Sequence, residues 1–374
     1  MPGPRPAPAD APATPTFHLG YRPALDGLRA VAVVLVLLHH TAAFLWPSVQ
    51  PSFATGGFLG VDIFFVLSGF LITTLLLARP EQALGRFYLR RVRRLVPGLL
   101  GMLAFLGVCG LVFDAPSARD WLSTVIWVTT YSGNWGVLST HHIAPEVSHT
   151  WSLAVEGQFY VVWPVITAAV LRIARGRSEA LAGVAVVGIA AVMAWRWHAW
   201  HQQHNWLALY IRTPARADAL LIGCLAGLAA SSGWVTDRPA RFWQGSLAVG
   251  LPVLIVLAFT VEGSTGSLYD GGLTAIAVIA ALVVLGALFT PADFPTTRVL
   301  ASRPFVAVGT WSYSLYLWHF PLFFLLREHA GTWPAAGRTI VGWVLAFAAA
   351  IASYRFVERP FLRRPAKAAG AAAA

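Results

Sequence analysis

Residues 25–40 read LDGLRAVAVVLVLLHH, an apolar run with charge only near its ends. Extended by its neighbours, the run reaches the roughly 20 residues that a membrane-spanning helix needs. It carries Asp26 and Arg29 at one end and His39 and His40 near the other. Ionisable groups at membrane depth are costly and usually face a cavity or one another. The stretch therefore predicts a spanning helix whose polar side chains need partners inside a helix bundle.

The composition of the whole chain is that of a polytopic membrane protein. Of its 374 residues, 57% are hydrophobic and 11% are charged, and the mean hydropathy is +0.64. A soluble domain carries about a quarter charged residues. The net charge of +11 does not indicate nucleic-acid binding, because most arginines lie in short clusters between apolar runs. The two cysteines lie within apolar runs and predict neither a metal site nor a disulfide framework.

Ten apolar runs approach the length of a membrane span. They lie near 24–46, 58–78, 95–113, 151–171, 180–198, 214–230, 245–261, 271–290, 304–326 and 337–357. A further apolar stretch, 121–138, is broken, and we expect it to be a re-entrant or interfacial segment whose irregular backbone is covered by protein. The sequence thus predicts an all-α polytopic membrane helix bundle of about ten transmembrane helices, without a strong internal repeat.

Arginines between the runs predict the orientation. Six of them lie within 79–94 and three within 172–177, and both segments are therefore expected in the cytoplasm. The segments 79–94 and 172–177 can both lie in the cytoplasm only if 121–138 does not cross the bilayer. The remaining basic loops fit the same pattern, so we expect a multi-pass protein of the cell membrane with both termini in the cytoplasm.

The two ends of the chain differ from the apolar part. Residues 1–20 are mostly Pro- and Ala-rich, and residues 363–374 read RRPAKAAGAAAA. Such segments have no apolar core to fold around. We therefore expect disordered cytoplasmic tails at 1–20 and 363–374 and one membrane domain at 21–362.

Helical register brings ionisable groups of separate runs to a similar depth. Arg29 and His40 are eleven residues apart, so they share nearly the same helix face, roughly 16 Å apart along the axis. His39 points elsewhere. Asp62 and Glu156 lie near the outer ends of their own runs, at the depth of His40. The pattern predicts a polar chamber that opens outward, although the two carboxylates are equally consistent with buried structural hydrogen bonds.

Two further polar motifs allow more than one interpretation. The segment RFYLRRVRRLVP, residues 86–97, is either a headgroup anchor that sets the topology or a polyphosphate-binding surface. In WRWHAWHQQHNW, residues 195–206, three histidines recur at i, i+3 spacing, but the tryptophans around them favour an interfacial belt. His149 and its neighbours at 141 and 142 lack helical order. We expect no metal site from either group.

Seven stretches together resemble the acyltransferase-3 family of polytopic membrane O-acyltransferases. They run from residue 22 to residue 361 and read, in order, RPALDGLRAVAVVLVLLHH, GGFLGVDIFFVLSGFLIT, RFYLRRVRRLVPGLL, HTWSLAVEGQFYVVWP, RADALLIGCLAG, SYSLYLWHFPL and FVERPF. The resemblance implies transfer of an acyl group, often acetyl, from acyl-CoA to a hydroxyl. No fused soluble domain is expected after the membrane part.

The resemblance also implies roles for individual residues. The family's essential histidine, which follows an arginine after ten residues, corresponds to His40 and the arginine to Arg29. Its arginine motif, tied to the acyl-CoA donor, corresponds to residues Arg90, Arg91 and Arg94.

The family's WSL-x-VE motif covers Trp151, Ser152 and Glu156. We expect Trp151, Ser152 and His149 of the same stretch to contact the substrate. Two positions depart from the family pattern. Gly157 stands where relatives often have a second Glu, and His39 stands where they often have an aromatic residue, which leaves open which imidazole acts.

These observations predict an O-acyltransferase in which His40 acts as general base on the acceptor hydroxyl. Asp62 or Glu156 would orient the imidazole or the acceptor, and a covalent acyl-histidine intermediate stays open. We expect the acceptor to be a cell-surface carbohydrate, a glycolipid or a secreted natural product, and the sequence leaves the choice among them open. The rival interpretation is a transporter that uses the same buried groups as a proton relay, which the arginine cluster and the missing repeat disfavour. A membrane scaffold would gain nothing from the cost of burying them.

Overall fold

The computed structural model describes residues 19–47, 53–78, 84–112, 118–139 and 143–362. Within these ranges the chain is helical and contains no β-strand, so the predicted all-α bundle is confirmed. The predicted disordered tails, apart from residues 19 and 20, lie outside the described residues. Residues 79–83, which were predicted to begin a cytoplasmic loop, and the histidines at 141 and 142 also lie outside the described residues.

Sixteen α-helices follow one another in the described part of the chain. Their bounds are α1 Pro23–His40, α2 Gly60–Ala78, α3 Leu84–Val112, α4 Ala118–Thr129, α5 Gly133–Ser139, α6 Trp151–Ile173, α7 Ser178–Gln203, α8 Trp206–Ile211, α9 Thr213–Ser231, α10 Ala240–Thr260, α11 Leu273–Phe289, α12 Pro295–Leu300, α13 Arg303–Thr310, α14 Ser312–His329, α15 Ala335–Ala352 and α16 Arg359–Leu362. Short 3₁₀ turns, Gly57–Leu59 and Pro145–Thr150, lead into α2 and α6, and π-helical turns at Thr41–Leu45, Leu268–Gly272 and Ser353–Glu358 follow α1, precede α11 and follow α15.

Nine helical segments in the described ranges are long and apolar enough to cross a membrane. They correspond to nine of the ten predicted runs. The tenth run, 304–326, is divided between α13 and α14 at Trp311. Helix α14 buries Ser312, Ser314 and His319, and it also ends on Arg327, Glu328 and His329, so its mean hydropathy is lower than that of the others. It lies inside the bundle against α1 and α15.

The broken stretch 121–138 forms no single crossing, as predicted. Helix α4 has 12 residues and α5 has 7, each too short to span a bilayer. The turn between them places Tyr131 in the left-handed region, with φ of 55°. That conformation is uncommon for a residue with a side chain and is worth attention near a functional site.

Helices α2 and α9 pack with their backbones in close contact. A Cβ atom at Gly69 would overlap the backbone of Leu220, and one at Gly223 would overlap the backbone of Val66. Small residues let membrane helices approach to backbone contact, where dispersion and short polar contacts hold them. This contact brings the polar side chains of the two helices within reach of each other.

Candidate active site

The last residue of α1 meets a histidine of α14. The Nδ1 atom of His40 lies 3.0 Å from Nε2 of His319, and Nδ1 of His319 lies 2.9 Å from the carbonyl oxygen of Leu315. His319 is completely buried. The ring of Phe320 packs edge-on against His40, with ring centroids 4.9 Å apart. The two imidazoles therefore form a hydrogen-bonded pair in an aromatic setting.

A third imidazole joins this pair. His149 is buried, its ring stacks on Phe320 at 4.6 Å, and it lies 5.8 Å from the ring of His319. Neither ring nitrogen of His149 has a hydrogen-bond partner among the described residues. The prediction that His149 belongs to the site is thus compatible with its position beside His40.

His40 and His149 line a cavity that we call the histidine pocket, whereas His319 is not part of its lining. Its walls also include an aromatic group and reach the exposed start of α8; the named members are His39, His40, Phe58, His149, Trp151, Trp206, Leu207, Tyr210, Tyr316 and Phe320. The helical register predicted that His39 points away from His40, but His39 lines the same cavity. Its Nδ1 atom is engaged 3.1 Å from the carbonyl oxygen of Ala54.

A second cavity, the central cavity, lies next to the histidine pocket. Three arginines from two helices line it, Arg29 from α1 and Arg91 and Arg94 from α3, together with Glu156 of α6. Arg29 is paired with Asp26 at 2.8 Å. No carboxylate among the described residues forms an ion pair with Arg91 or Arg94. The cavity thus holds a surplus of positive charge.

A third cavity, the arginine pocket, is open at the surface beside α3. Five arginines line it, with apolar side chains of α2, α3 and α16: Arg86, Arg90, Arg91, Arg93, Arg94, Leu75, Phe87, Leu89, Phe361 and Leu362. The guanidinium of Arg91 lies over the rings of Phe87 and Tyr160, 5.3 and 5.0 Å from their centroids. Of the predicted donor-binding residues, Arg91 and Arg94 line both the arginine pocket and the central cavity. Arg90 lines the arginine pocket but not the central cavity.

The three cavities adjoin one another through shared walls. Arg91 and Arg94 line both the arginine pocket and the central cavity, and Val61 and Tyr316 line both the central cavity and the histidine pocket. At the second boundary the Tyr316 hydroxyl donates to the backbone oxygen of His149 at 2.7 Å and lies 2.6 Å from Oγ of Ser152. The arginines and His40 therefore line neighbouring cavities, and Tyr316 stands at the boundary nearer to His40.

The two predicted carboxylates have other partners than His40. Glu156 accepts hydrogen bonds from the hydroxyls of Ser68 and Tyr160 in the central cavity. Asp62 is fully buried and pairs with Arg216 of α9 at 2.7 Å. The expected single polar chamber is therefore divided into three separate environments, because residues at one depth on different helices face different neighbours.

The buried charges around Asp62 form a network. Arg196 of α7 pairs with Asp218 of α9 at 2.8 Å and donates to Oγ1 of Thr274 at 2.6 Å. The guanidinium of Arg216 also lies over the ring of Tyr210, 4.6 Å from its centroid. We call Asp62, Arg216, Arg196, Asp218 and Thr274 the ion-pair cluster. It lies behind the wall of the histidine pocket and joins α2, α7, α9 and α11.

Gly157 is where the sequence departs from the family pattern, and its surroundings explain the departure. A Cβ atom there would overlap the ring of Tyr131, the residue with the left-handed turn. Gln158 donates to the backbone oxygen of Tyr131 at 2.8 Å. Burial, and then the nearby Glu156 carboxylate, raise the pKa of Tyr131, so its hydroxyl stays protonated. The tyrosine occupies the space that a second glutamate would need.

The histidine missed by the sequence interpretation is His319. It lies in SYSLYLWHFPL within the predicted run 304–326, and an ionisable residue at membrane depth is a signal that could have singled it out. Within the described ranges, no three His, Cys, Asp or Glu side chains converge as a metal site.

Comparisons with known proteins identify relatives of one class, the acyltransferases. Residues 22–355 match the sequence model of the acyltransferase domain family. The peptidoglycan O-acetyltransferase OatA of Listeria monocytogenes is 29% identical over 363 residues, covering 93% of this chain and 57% of that protein. A protein provisionally named an O-acetyltransferase in Staphylococcus aureus strain MSSA476 is 30% identical over 375 residues, covering 93% of this chain and 58% of that protein.

A third relative, provisionally named a peptidoglycan O-acetyltransferase in Bacillus subtilis strain 168, is 31% identical over 369 residues, covering 92% of this chain and 55% of that protein. The chain thus spans little more than half the length of these curated relatives. No solved structure matches it.

Proposed function

This chain belongs to the acyltransferase domain family, and we propose that it is a membrane O-acyltransferase that moves an acyl group, such as acetyl, from acyl-CoA to a hydroxyl. The observation that carries the proposal is the sequence of adjoining cavities, which links a cluster of arginines to His40 through shared walls. A charged donor and a hydroxyl acceptor can then meet without sharing one entrance.

The arginine pocket is suited to the donor. Acyl-CoA carries phosphate groups at one end and a thioester on a long, flexible arm at the other. Guanidinium groups bind phosphate oxygens with two parallel hydrogen bonds. Five arginines at the pocket would hold the phosphates, and Arg29, Arg91 and Arg94 would line the path of the arm toward His40.

The histidine pocket is suited to a carbohydrate acceptor. Its mouth is formed by Trp206, which is 39% exposed, and by Leu207. A sugar ring packs its apolar face on an aromatic ring while its hydroxyls hydrogen-bond to neighbouring polar groups. The names of two relatives give peptidoglycan as their substrate. We propose a cell-surface glycan as acceptor, with His149 and Trp151 near the reacting hydroxyl and Ser152 beside Tyr316 on the side of the central cavity.

His40 is the proposed general base. It takes the proton of the acceptor hydroxyl as the oxygen attacks the thioester carbon. The carbon–oxygen bond forms, the carbon–sulfur bond breaks, and the thiolate of CoA leaves. The thiolate then takes this proton from His40, which returns to its neutral form, so the products are the O-acylated acceptor and free CoA thiol. Asp62 and Glu156 support the site from their own networks and do not contact His40.

The orientation is part of the proposal. We place the arginine pocket and both termini at the cytoplasmic side of the cell membrane and the histidine pocket at the outer side. This parity needs α14 to cross the membrane in addition to the nine apolar segments.

A labelling experiment tests the orientation. In a Cys109→Ser background, a cysteine that replaces Gly85 reports the side of the arginine pocket, and one that replaces Gln203 reports the opposite side. Both positions are exposed. A membrane-impermeant maleimide should label the cysteine at Gln203 in intact cells and the one at Gly85 after permeabilisation. The opposite result would place the donor outside.

The activity test uses purified chain in lipid vesicles, radiolabelled acetyl-CoA and soluble glycan oligomers. We expect acetyl transfer that needs His40, and we expect Trp206→Ala to raise the acceptor KM. Trp333→Ala is the matched control, since Trp333 is 50% exposed and lines none of the three cavities. Absence of both acetyl-CoA binding and transfer would contradict the donor, and proton-coupled solute uptake would instead support the transporter interpretation.

A further inference from the structure

The geometry at the end of α1 assigns a role to a residue of α14. We propose that His319 is a positioning residue for His40: its hydrogen bond fixes the tautomer of His40 so that the lone pair lies on Nε2. This inference rests on the proposed function, because it concerns how the general base is prepared. It adds a residue that lies 279 positions away in the sequence.

The hydrogen bonds determine the tautomer of His319 first and then that of His40. The carbonyl oxygen of Leu315 only accepts, so Nδ1 of His319, 2.9 Å away, carries the proton. In a neutral imidazole the other nitrogen is then an acceptor. Nε2 of His319 therefore accepts a proton from Nδ1 of His40 at 3.0 Å. His40 is left with its lone pair on Nε2.

The neutral state of both rings supports this order. None of the hydrogen bonds or ion pairs that His40 and His319 form within the described residues involves a carboxylate. A buried charge without a partner is costly, so an uncharged pair is the stable resting form. The tautomer also satisfies every nitrogen of the pair except Nε2 of His40, the one left to meet an acceptor hydroxyl.

The same bond helps after proton transfer. When Nε2 of His40 takes the acceptor proton, the ring becomes an imidazolium and its Nδ1–H faces Nε2 of His319. A hydrogen bond with one charged partner is roughly twice as strong as a neutral one. His319 thus stabilises the charge that appears on His40, and no proton has to leave His319 for this to happen.

Kinetics of three variants test the proposal. Phe at 319 fills the space but accepts no hydrogen bond, so His319→Phe should lower kcat at least about tenfold, part of the general-base contribution of about 10²–10⁴. KM for both substrates should stay within about twofold. In His319→Gln the amide oxygen can accept from His40, so this variant should keep more activity than His319→Phe. His198→Gln, at an exposed position of α7, is the matched control.

Nitrogen-15 spectra of the native protein give a test that needs no active variant at 319. In histidine-labelled protein, the signal lost in His40→Ala should show a protonated Nδ1 and an unprotonated Nε2. A protonated Nε2 on His40, or a folded His319→Phe with unchanged kcat, would overturn the inference. If His40→Ala itself stays active, the proposed function falls instead, so the two failures are distinguishable.

Discussion

Two buried polar groups of this protein, the ion-pair cluster and the histidines around His40, differ in how they meet the cost of burial. In the ion-pair cluster, Asp62 and Arg216 are both about 1% exposed and neutralise each other at 2.7 Å. At the histidine pocket the rings carry no paired charge and line a cavity. Charges that are paired across helices satisfy each other, so the removal of one partner is costly. Neutral titratable groups beside a cavity are left free for chemistry.

The largest effect we expect concerns the chemistry of the histidine pocket. His40→Ala removes the general base and should lower kcat by about 10²–10⁴-fold, while the protein still folds. Acetyl transfer in vesicles measures the rate, and elution of a monodisperse protein from a sizing column checks folding. Full activity in a folded His40→Ala variant would show that the histidines around His40 are not catalytic, which would remove the difference in role from the ion-pair cluster.

The next effect concerns the ion-pair cluster, where stability should change before chemistry does. Asp62→Asn leaves Arg216 buried without its counter-charge, which typically costs about 3–5 kcal/mol. Denaturation in mixed detergent should show this loss. The double change Asp62→Leu with Arg216→Met removes both charges and should recover much of the stability. A stable but inactive Asp62→Asn variant would instead give Asp62 the catalytic role that its register predicted.

A smaller effect is expected where the donor binds. Lys keeps the charge of Arg but not its planar fork, so Arg91→Lys with Arg94→Lys should raise KM for acetyl-CoA at least about tenfold, since each charge-assisted contact contributes about 1.5–3 kcal/mol. Arg175→Lys with Arg177→Lys is the matched control, because neither residue lines the cavities. An unchanged KM would leave the arginines of α3 as a topology signal.

The smallest effect sharpens the boundary of the histidine group. His39 lines the same pocket as His40, but its Nδ1 atom is engaged by the Ala54 carbonyl. His39→Ala should therefore keep substantial activity, within about tenfold of the native kcat, less than the smallest loss expected for a missing general base. A deeper loss in His39→Ala than in His40→Ala would reverse the roles of the two imidazoles.

Features that depend on a single helix could be predicted from the sequence. Hydropathy located nine of the spans, and helical register placed Arg29 and His40 on cavity walls. Two features escaped it because they depend on neighbouring helices. His319 lies in the predicted run 304–326, but the sequence does not show that it meets His40 of α1. Asp62 shares the predicted depth of His40, but close packing of α2 on α9 directs it to Arg216, a partner 154 residues away.

The position of Tyr316 between two cavities has an electrical consequence for the proposed reaction. Each elementary charge moved across a membrane costs or yields about 2.3 kcal/mol per 100 mV. If the nucleotide end of the donor stays among the arginines, the uncharged thioester arm passes Tyr316 and returns as the uncharged thiol, so no net charge crosses. The reaction then proceeds at the same rate in energised and de-energised vesicles, and the glycan coat can be modified when the membrane potential has collapsed.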